Sequence, residues 1–589
     1  MPFVTPDEFT TRPTLRGSFG MVASTHWLAS QSAMAVLERG GNAFDAAVAA
    51  GFVLQVVEPH LNGPGGDLVG LVSPAGEPAR VLAGLGAAPR GASIAHYREL
   101  GLDLVPGAGF LAATAPGAFD AWLLLLRDYG TWELHQVVEF ALGYAEDGYP
   151  VLPAVARTVQ AVSGLFQSAW PTSEQAWGGI VPDSIATRTE WAATLRRLLA
   201  SGRGATREER IDAVRAEWSH GFVAETIASF VQTPLRDSSG ADHAGVLTLA
   251  DFTDYAATWE EPVERDFRGH RVVKAGPWTQ GPVLLQALGI LDGFEDDRLD
   301  PSTELGAHTV LEALALALAD RDAWYGDDGT TPLGELLAPE YSASRRALIA
   351  DVAAPDLRPG WPGGRRPHPL PERISTVTGD GLAGTGEPTV ARDGQTRGDT
   401  CHVDVVDRFG NAVSITPSGG WLQSSPHIPE LGFCLGSRLQ MSWLDEGLPS
   451  ALNPGRRPRT TLSPTLVFSP DGSVLATGTP GGDQQDQWQL LFLLRYLVGG
   501  YSLQQAIDAP ALHTSSAIES FWPRERVPTG AVVEERIGRE VLRGLRDRGH
   551  EVTVAGSWAL GRLCAVSTGP DGLRGAANPR GMQGYAVGR

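Results

Sequence analysis

The feature that most limits what this chain can fold into is an abrupt change of pattern at residue 400. Residues 353–398 are rich in Pro, Gly, Arg and Asp and carry no helical or strand period, so they read as an extended loop or linker. Directly beyond, Thr400-Cys401-His402-Val403-Asp404-Val405-Val406-Asp407 alternates, with Val403 and Val405 on one face and Asp404 and Val406 on the other. Gly410-Asn411 then reverses the chain into a second apolar run from Ala412 to Thr416, a hairpin signature. A threonine at the head of such a strand has two readings. It is a β-branched residue suited to a strand. Alternatively it becomes a chain N-terminus by cleavage after Asp399, with its hydroxyl as nucleophile and its own freed α-amine as base.

The preceding part of the chain is richer in helix. Gly20 to Ser24 reads as a short strand, Leu28 to Arg39 as a helix stopped by Gly40-Gly41, and Asn42 as the N-cap of a small-residue helix. Asn62-Gly63-Pro64-Gly65-Gly66-Asp67 lacks the Lys-Ser/Thr of a phosphate loop and precedes a strand, which leaves a tight turn or a backbone passing near a ligand. Helices are expected at 117–129, 134–147, across much of 154–239, at 283–289 and at 308–324. The charged end of the last, Ala319-Asp320-Arg321-Asp322, reads as a structural ion cluster. After residue 400 short strands dominate, with helices at 484–498 and 535–548. Mixed strands and helices of this kind suit packed sheets covered by helices.

Composition narrows the function. A net charge of −21 argues against nucleic acid or an anionic membrane as partner, because both need basic surface. The longest apolar run, Val310 to Ala319, is too short to span a bilayer, and Met1 to Gly17 shows no basic-then-apolar leader. A cytoplasmic location is the default expectation. Cys401, Cys434 and Cys564 cannot build a disulfide framework and none has metal-ligand spacing, so no metal and no cofactor are expected.

Six motifs in order resemble the γ-glutamyltransferase family of N-terminal-nucleophile hydrolases: Gly20-Met21-Val22-Ala23-Ser24, Gly40-Gly41-Asn42-Ala43-Phe44-Asp45-Ala46, Glu58-Pro59-His60, Ala319-Asp320-Arg321, Thr400-Cys401-His402 and Pro480-Gly481-Gly482. The resemblance runs from about Gly20 to Tyr585. It implies an α+β fold, a four-layer αββα sandwich, and self-cleavage between Asp399 and Thr400. Residues 1–399 would then form a large-subunit region and 400–589 a small one, intertwined in one domain. It further implies Thr400 as nucleophile, backbone N–H donors for the oxyanion at Gly481 and Gly482, a hydroxyl partner of Thr400 at Ser418, and a hydroxyl pair in the substrate pocket at Thr460-Thr461. No separate base is needed, because an α-amine of pKa about 7.7–8.0 is partly unprotonated near neutrality.

The departures bear on substrate. The segment where relatives carry a carboxylate-binding arginine reads Gly84-Leu85-Gly86-Ala87, and the place of their acidic pair reads Arg438-Leu439-Gln440-Met441. The asparagine expected two residues beyond Ser418 is Gly420. An unpaired zwitterion is strongly disfavoured in a site. The expected substrate is therefore a small amide whose acyl group is not ordinary γ-glutamyl, with water or an amine as acceptor. Arg438, or Arg90, could receive a carboxylate placed differently, and Trp421 could wall a more apolar acyl pocket. A true γ-glutamyltransferase or glutathione hydrolase with a rebuilt pocket, and an uncleaved binding protein, are the alternatives. An oligomer is left open.

Overall fold

The computed structural model describes residues 3–375 and 400–589, so Asp399 and the end of the linker lie outside the described residues. Two seven-stranded sheets, antiparallel throughout, face one another. The first runs Tyr585–Gly588, Gly20–Ser24, Val403–Asp407, Ala412–Ser418, Asp67–Ser73, Arg80–Gly84 and Thr258–Glu260. The second runs Leu15–Gly17, Gly572–Ala577, Cys564–Gly569, Val474–Gly478, Thr465–Phe468, His270–Lys274 and Val263–Phe267. Each sheet thus draws strands from both sides of residue 400.

Side-chain alternation divides the strands between three apolar layers. Met21, Ala23, Val69, Leu71 and Val406 meet Val273, Leu466, Ala476 and Val566 between the sheets. Val22, Val403, Val405, Val413 and Ile415 point outward under helices Trp27–Glu38, Ala43–Val57 and Ala118–Tyr129. On the other flank Val272, Val467, Leu475 and Ala565 lie under helices Pro282–Leu291, Glu304–Trp324 and Gln485–Leu493. The result is the helix–sheet–sheet–helix sandwich. Val403 and Val405 face the helices while Val406 faces the second sheet, as the alternation in this strand requires.

The Ala43–Val57 helix shows why its sequence is so rich in small residues. Every one of its residues is buried, and a Cβ at Gly51 would lie 2.3 Å from the Trp122 ring. Its start is held by a capping box between Asn42 and Asp45, and Asp407 Oδ2 accepts from Ala43 N at 2.9 Å. That bond ties the helix to the far end of the 403–407 strand. Between residues 153 and 230 the chain forms five further helices, Pro153–Ala169, Pro171–Trp177, Thr189–Ser201, Arg207–His220 and Phe222–Phe230. One expectation is corrected in detail: the helix expected over 484–498 is α-helical only to Leu493 and closes in a π turn, Leu494–Val498. No described helix is long and apolar enough to cross a membrane.

Candidate active site

Thr400 lies at the head of the 403–407 strand and is buried, 1% exposed. It pairs antiparallel with Ser418, and Thr400 Oγ1 donates to Ser418 Oγ at 3.3 Å. Ser418 is in turn the register partner of Asp67. Three residues from three strands are therefore stacked across one end of the first sheet, and Asp67 stands two strand spacings, about 10 Å, from Thr400.

The second sheet brings the Pro480-Gly481-Gly482 loop to the same end. Ser414 Oγ donates to the Thr477 carbonyl at 3.1 Å, and the ring of His402 fills the space over Gly478, where a Cβ would be 2.2 Å from its Cε1. The chain leaves that strand three residues before Gly481. Gly481 and Gly482 have φ of +136° and +51°, and a Cβ on Gly481 would lie 2.4 Å from Trp488. Glycine is required at Gly481 on both counts.

Arg321 holds this loop. Its guanidinium bonds Asp483, directly after Gly482, and also Asp322 Oδ1 at 2.9 Å, Gln280 Oε1 at 3.0 Å and the Ile518 carbonyl at 2.8 Å. Gln280 Nε2 donates to the Gly482 carbonyl at 3.2 Å. Burial alone would raise the Asp483 carboxyl, but Arg321, Arg459 and two hydrogen bonds from Ser520 hold it below its ordinary value. The ion cluster at the end of the Glu304–Trp324 helix is thus a brace for the glycine loop. Its other acid, Asp320, accepts from Gly360 N and Tyr341 and faces Arg345.

Beneath Thr400, Cys401 Sγ donates to Glu58 Oε2 at 3.0 Å, which also accepts from Thr25 Oγ1 at 2.7 Å, while Gln583 bonds the other oxygen. Burial raises the Cys401 thiol well above its ordinary value, with Glu58 adding to the effect, so it remains protonated. The sulfur next to Thr400 is a hydrogen-bond donor and not a competing nucleophile.

The glycine-rich turn before Asp67 serves backbone packing. A Cβ at Gly66 would sit 2.1 Å from the Ser418 carbonyl oxygen, and one at Gly65 would sit 2.1 Å from that of Cys434. Gly420, at φ +65°, would bring a Cβ to 2.8 Å from Gly66 N, so this backbone cannot carry an asparagine there. Likewise a Cβ at Gly86 would lie 2.0 Å from the Ala115 carbonyl oxygen, which closes position 86 of the Gly84-Leu85-Gly86-Ala87 segment to an arginine.

Arg438 is buried. Its Nε and Nη2 fork onto Asp67 at 2.6 and 2.8 Å, a bidentate pair. With Gly65, Gly419, Trp421, Gln440 and Phe521 the pair lines a cavity of about 10 Å³ beside Ser418, room for roughly one water. Trp421 and Phe521, packed together with Met441, form its apolar side. Arg90 is elsewhere, exposed and paired with Asp254. Thr460 N donates to the Trp278 carbonyl at 2.9 Å, and the buried Thr461 Oγ1 has no hydrogen-bond partner among the described residues. No group of three or more His, Cys, Asp or Glu among the described residues could hold a metal ion.

Thr400, Ser418, Arg438 and Trp421 therefore share one end of the first sheet, with Gly481 and Gly482 at the matching end of the second. Asp67, Phe521 and the Arg321–Asp483 brace went unrecognised in the sequence. Asp67 and Arg438 are 371 residues apart, and no local pattern announces such a pair.

Comparison with known proteins agrees. The profile described as Gamma-glutamyltranspeptidase matches residues 29–588. The solved structure of LmbA2991HD is 52% identical, covers 99% of this chain and 100% of its own, and superposes with a TM-score of 0.93. The Glutathione hydrolase-like YwrD proenzyme of Bacillus subtilis (strain 168) is 30% identical over 97% of this chain and 99% of its own. The Oxamate amidohydrolase proenzyme of Klebsiella pneumoniae subsp. pneumoniae is also 30% identical, over 97% of this chain and 98% of its own. With the sandwich, the glycine loop and the profile match in agreement, this chain belongs to the gamma-glutamyltranspeptidase family of N-terminal-nucleophile hydrolases.

Proposed function

We propose that the chain is an amide hydrolase or acyltransferase that works through an acyl ester on Thr400 and does not have ordinary γ-glutamyl specificity. Adding water across the Asp399–Thr400 peptide bond yields the Asp399 carboxyl and the free Thr400 amine. Thr400 Oγ then attacks the substrate carbonyl, its proton passes to the amine, and the leaving nitrogen departs with that proton. Water, or a second amine, attacks the ester and releases the acyl group. The Gly481-Gly482 backbone faces the developing oxyanion from the second sheet. The observation that carries the specificity is the commitment of Arg438 to Asp67, which leaves neither charge available to a glutamyl zwitterion. Relatives with oxamate amidohydrolase and glutathione hydrolase names place amide hydrolysis within the family's range.

Turnover of a γ-glutamyl anilide, set beside a panel of simple acyl amides, tests the reading. The acyl amides are expected to be the better substrates, and efficient turnover of the γ-glutamyl compound alone would refute it. Two further outcomes follow. Gly481→Ala should lower kcat by about 10²- to 10³-fold in single-turnover acylation, because the side chain forces the backbone away from φ +136° and from Trp488. The pH profile should rise with unit slope through the pKa of the Thr400 amine. Only the neutral amine accepts a proton, so activity falls as pH drops below about 7.7, and burial moves that limb lower still. A flat profile from pH 5 to 8 would remove the amine from the base role.

A further inference from the structure

A second cavity, of about 630 Å³, lies where the starts of helices Trp27–Glu38 and Pro153–Ala169 meet the loops before strands Cys564–Gly569 and Tyr585–Gly588. That volume falls in the range of small-molecule sites, about 300–1,000 Å³. The lining shares no residue with the Arg438–Asp67 cavity and includes none of Thr400, Gly481 and Gly482.

Arg562 sets this cavity apart. It is 6% exposed, and its Nε and Nη2 have no hydrogen-bond partner among the described residues. Those two N–H groups form one edge of the guanidinium, the edge that matches the two oxygens of a carboxylate. Three other arginines of this chain use the same edge. Arg215 forks onto Asp120 at 2.6 and 3.1 Å, Arg438 onto Asp67 at 2.6 and 2.8 Å, and Arg580 onto both oxygens of Glu534 at 2.9 Å. The nearby Glu58 does not fill this role for Arg562, because its oxygens accept from Thr25, Cys401 and Gln583. A buried donor edge with no acceptor is costly.

The remaining lining gives the charge a context. Arg580 belongs to Glu534, which leaves Arg157 and Arg562 with Asp183 as the only carboxylate of the lining. His60 adds no further charge: burial, with Arg562, His26 and Arg157 adding to it, holds its imidazole well below the ordinary pKa. Trp27, Leu152, Trp558 and Met582 supply large apolar surfaces, and Trp558 and Met582 are exposed members of the lining. Indole faces favour a flat ring stacked or set edge-on against them.

We infer that this cavity is a second ligand site, for a carboxylate carried on a flat aromatic body. The carboxylate takes the Nε–Nη2 edge of Arg562, and the ring packs against the indoles of Trp27 and Trp558. The site is separate from the acyl cavity, so it stands or falls independently of the acyl-Thr400 reading.

Isothermal titration of the full-length enzyme tests it. Indole-3-acetate is the probe, with acetate carrying the charge without the ring and tryptophol the ring without the charge. Indole-3-acetate should bind at least about 10-fold more tightly than either. Arg562→Met should weaken indole-3-acetate about 10- to 100-fold and leave tryptophol unchanged, and Arg562→Lys should restore part of the loss. The thermal midpoint of Arg562→Met should not fall, since no described side chain bonds the Nε–Nη2 edge that it removes. Trp558→Ala, at an exposed position, should weaken indole-3-acetate and leave acetate unchanged. The uncut Thr400→Ala chain should bind the probe as the wild type does, and saturating probe should leave the KM for an amide substrate unchanged. Equal affinity for indole-3-acetate and tryptophol, full affinity in Arg562→Met, or competition between the probe and the amide substrate would overturn the inference.

Discussion

Thr400→Ala is expected to remain a single chain and to lose at least about 10⁴-fold in turnover, as removal of a nucleophile does elsewhere. Intact-mass analysis of the wild type should show two chains, residues 1–399 and 400–589. The variant should fold, because Thr400 is small and its side-chain hydrogen bond to Ser418 is long, at 3.3 Å. The loss of such a bond costs only about 1 kcal/mol. A circular-dichroism melt close to that of the uncut wild type would separate chemistry from folding. Thr400→Ser keeps a hydroxyl and should retain cleavage at reduced rate. A wild type that stays whole and inert, or an alanine variant that is cut at the same bond, would contradict the mechanism.

The largest expected effect on stability is at Arg321. Arg321→Met leaves Asp322 and Asp483 buried without their cation and strands the Gln280 and Ile518 oxygens. Breaking a buried pair by removing one partner costs about 3–5 kcal/mol. Urea unfolding should show the midpoint falling accordingly. Because Asp483 follows Gly482, kcat should also fall in conditions where the variant is still folded. Arg321→Lys should recover little, since one ammonium cannot fork to two carboxylates and two carbonyl oxygens. Removing the exposed Arg90, whose ion pair with Asp254 is solvated, should change stability hardly at all. If Arg321→Met were as stable and active as the wild type, the ion cluster would not be the brace of the glycine loop.

Much of the framework was legible because it depends on short-range pattern. Alternation placed Val403 and Val405 on one face and Val406 on the other, and they pack in separate layers. The Gly40-Gly41 stop set the end of the first helix to within a residue or two, and Asn42 marked the start of the second, which runs on to Val57. Charge at the end of the Glu304–Trp324 helix was rightly read as structural, though not what it supports. The site was legible only in part. Arg438 carries no mark in the sequence that distinguishes a surface arginine from one locked on Asp67. The glycines at 63–66 suggested a ligand or a turn; they form the turn, closed by Gly66 N donating to the Gly63 carbonyl at 3.0 Å, and they also accommodate the carbonyls of Ser418, Cys434 and Gly420.

From residue order alone the family, the sandwich and the chemical type of Thr400 could be argued, because motif spacing and period-two alternation are local properties of the chain. Which charges remain available to a substrate was decided by tertiary structure. Electrostatic pairing is a property of distance in space, and folding joins Arg438 to Asp67 and Arg321 to Asp483 across long stretches of sequence.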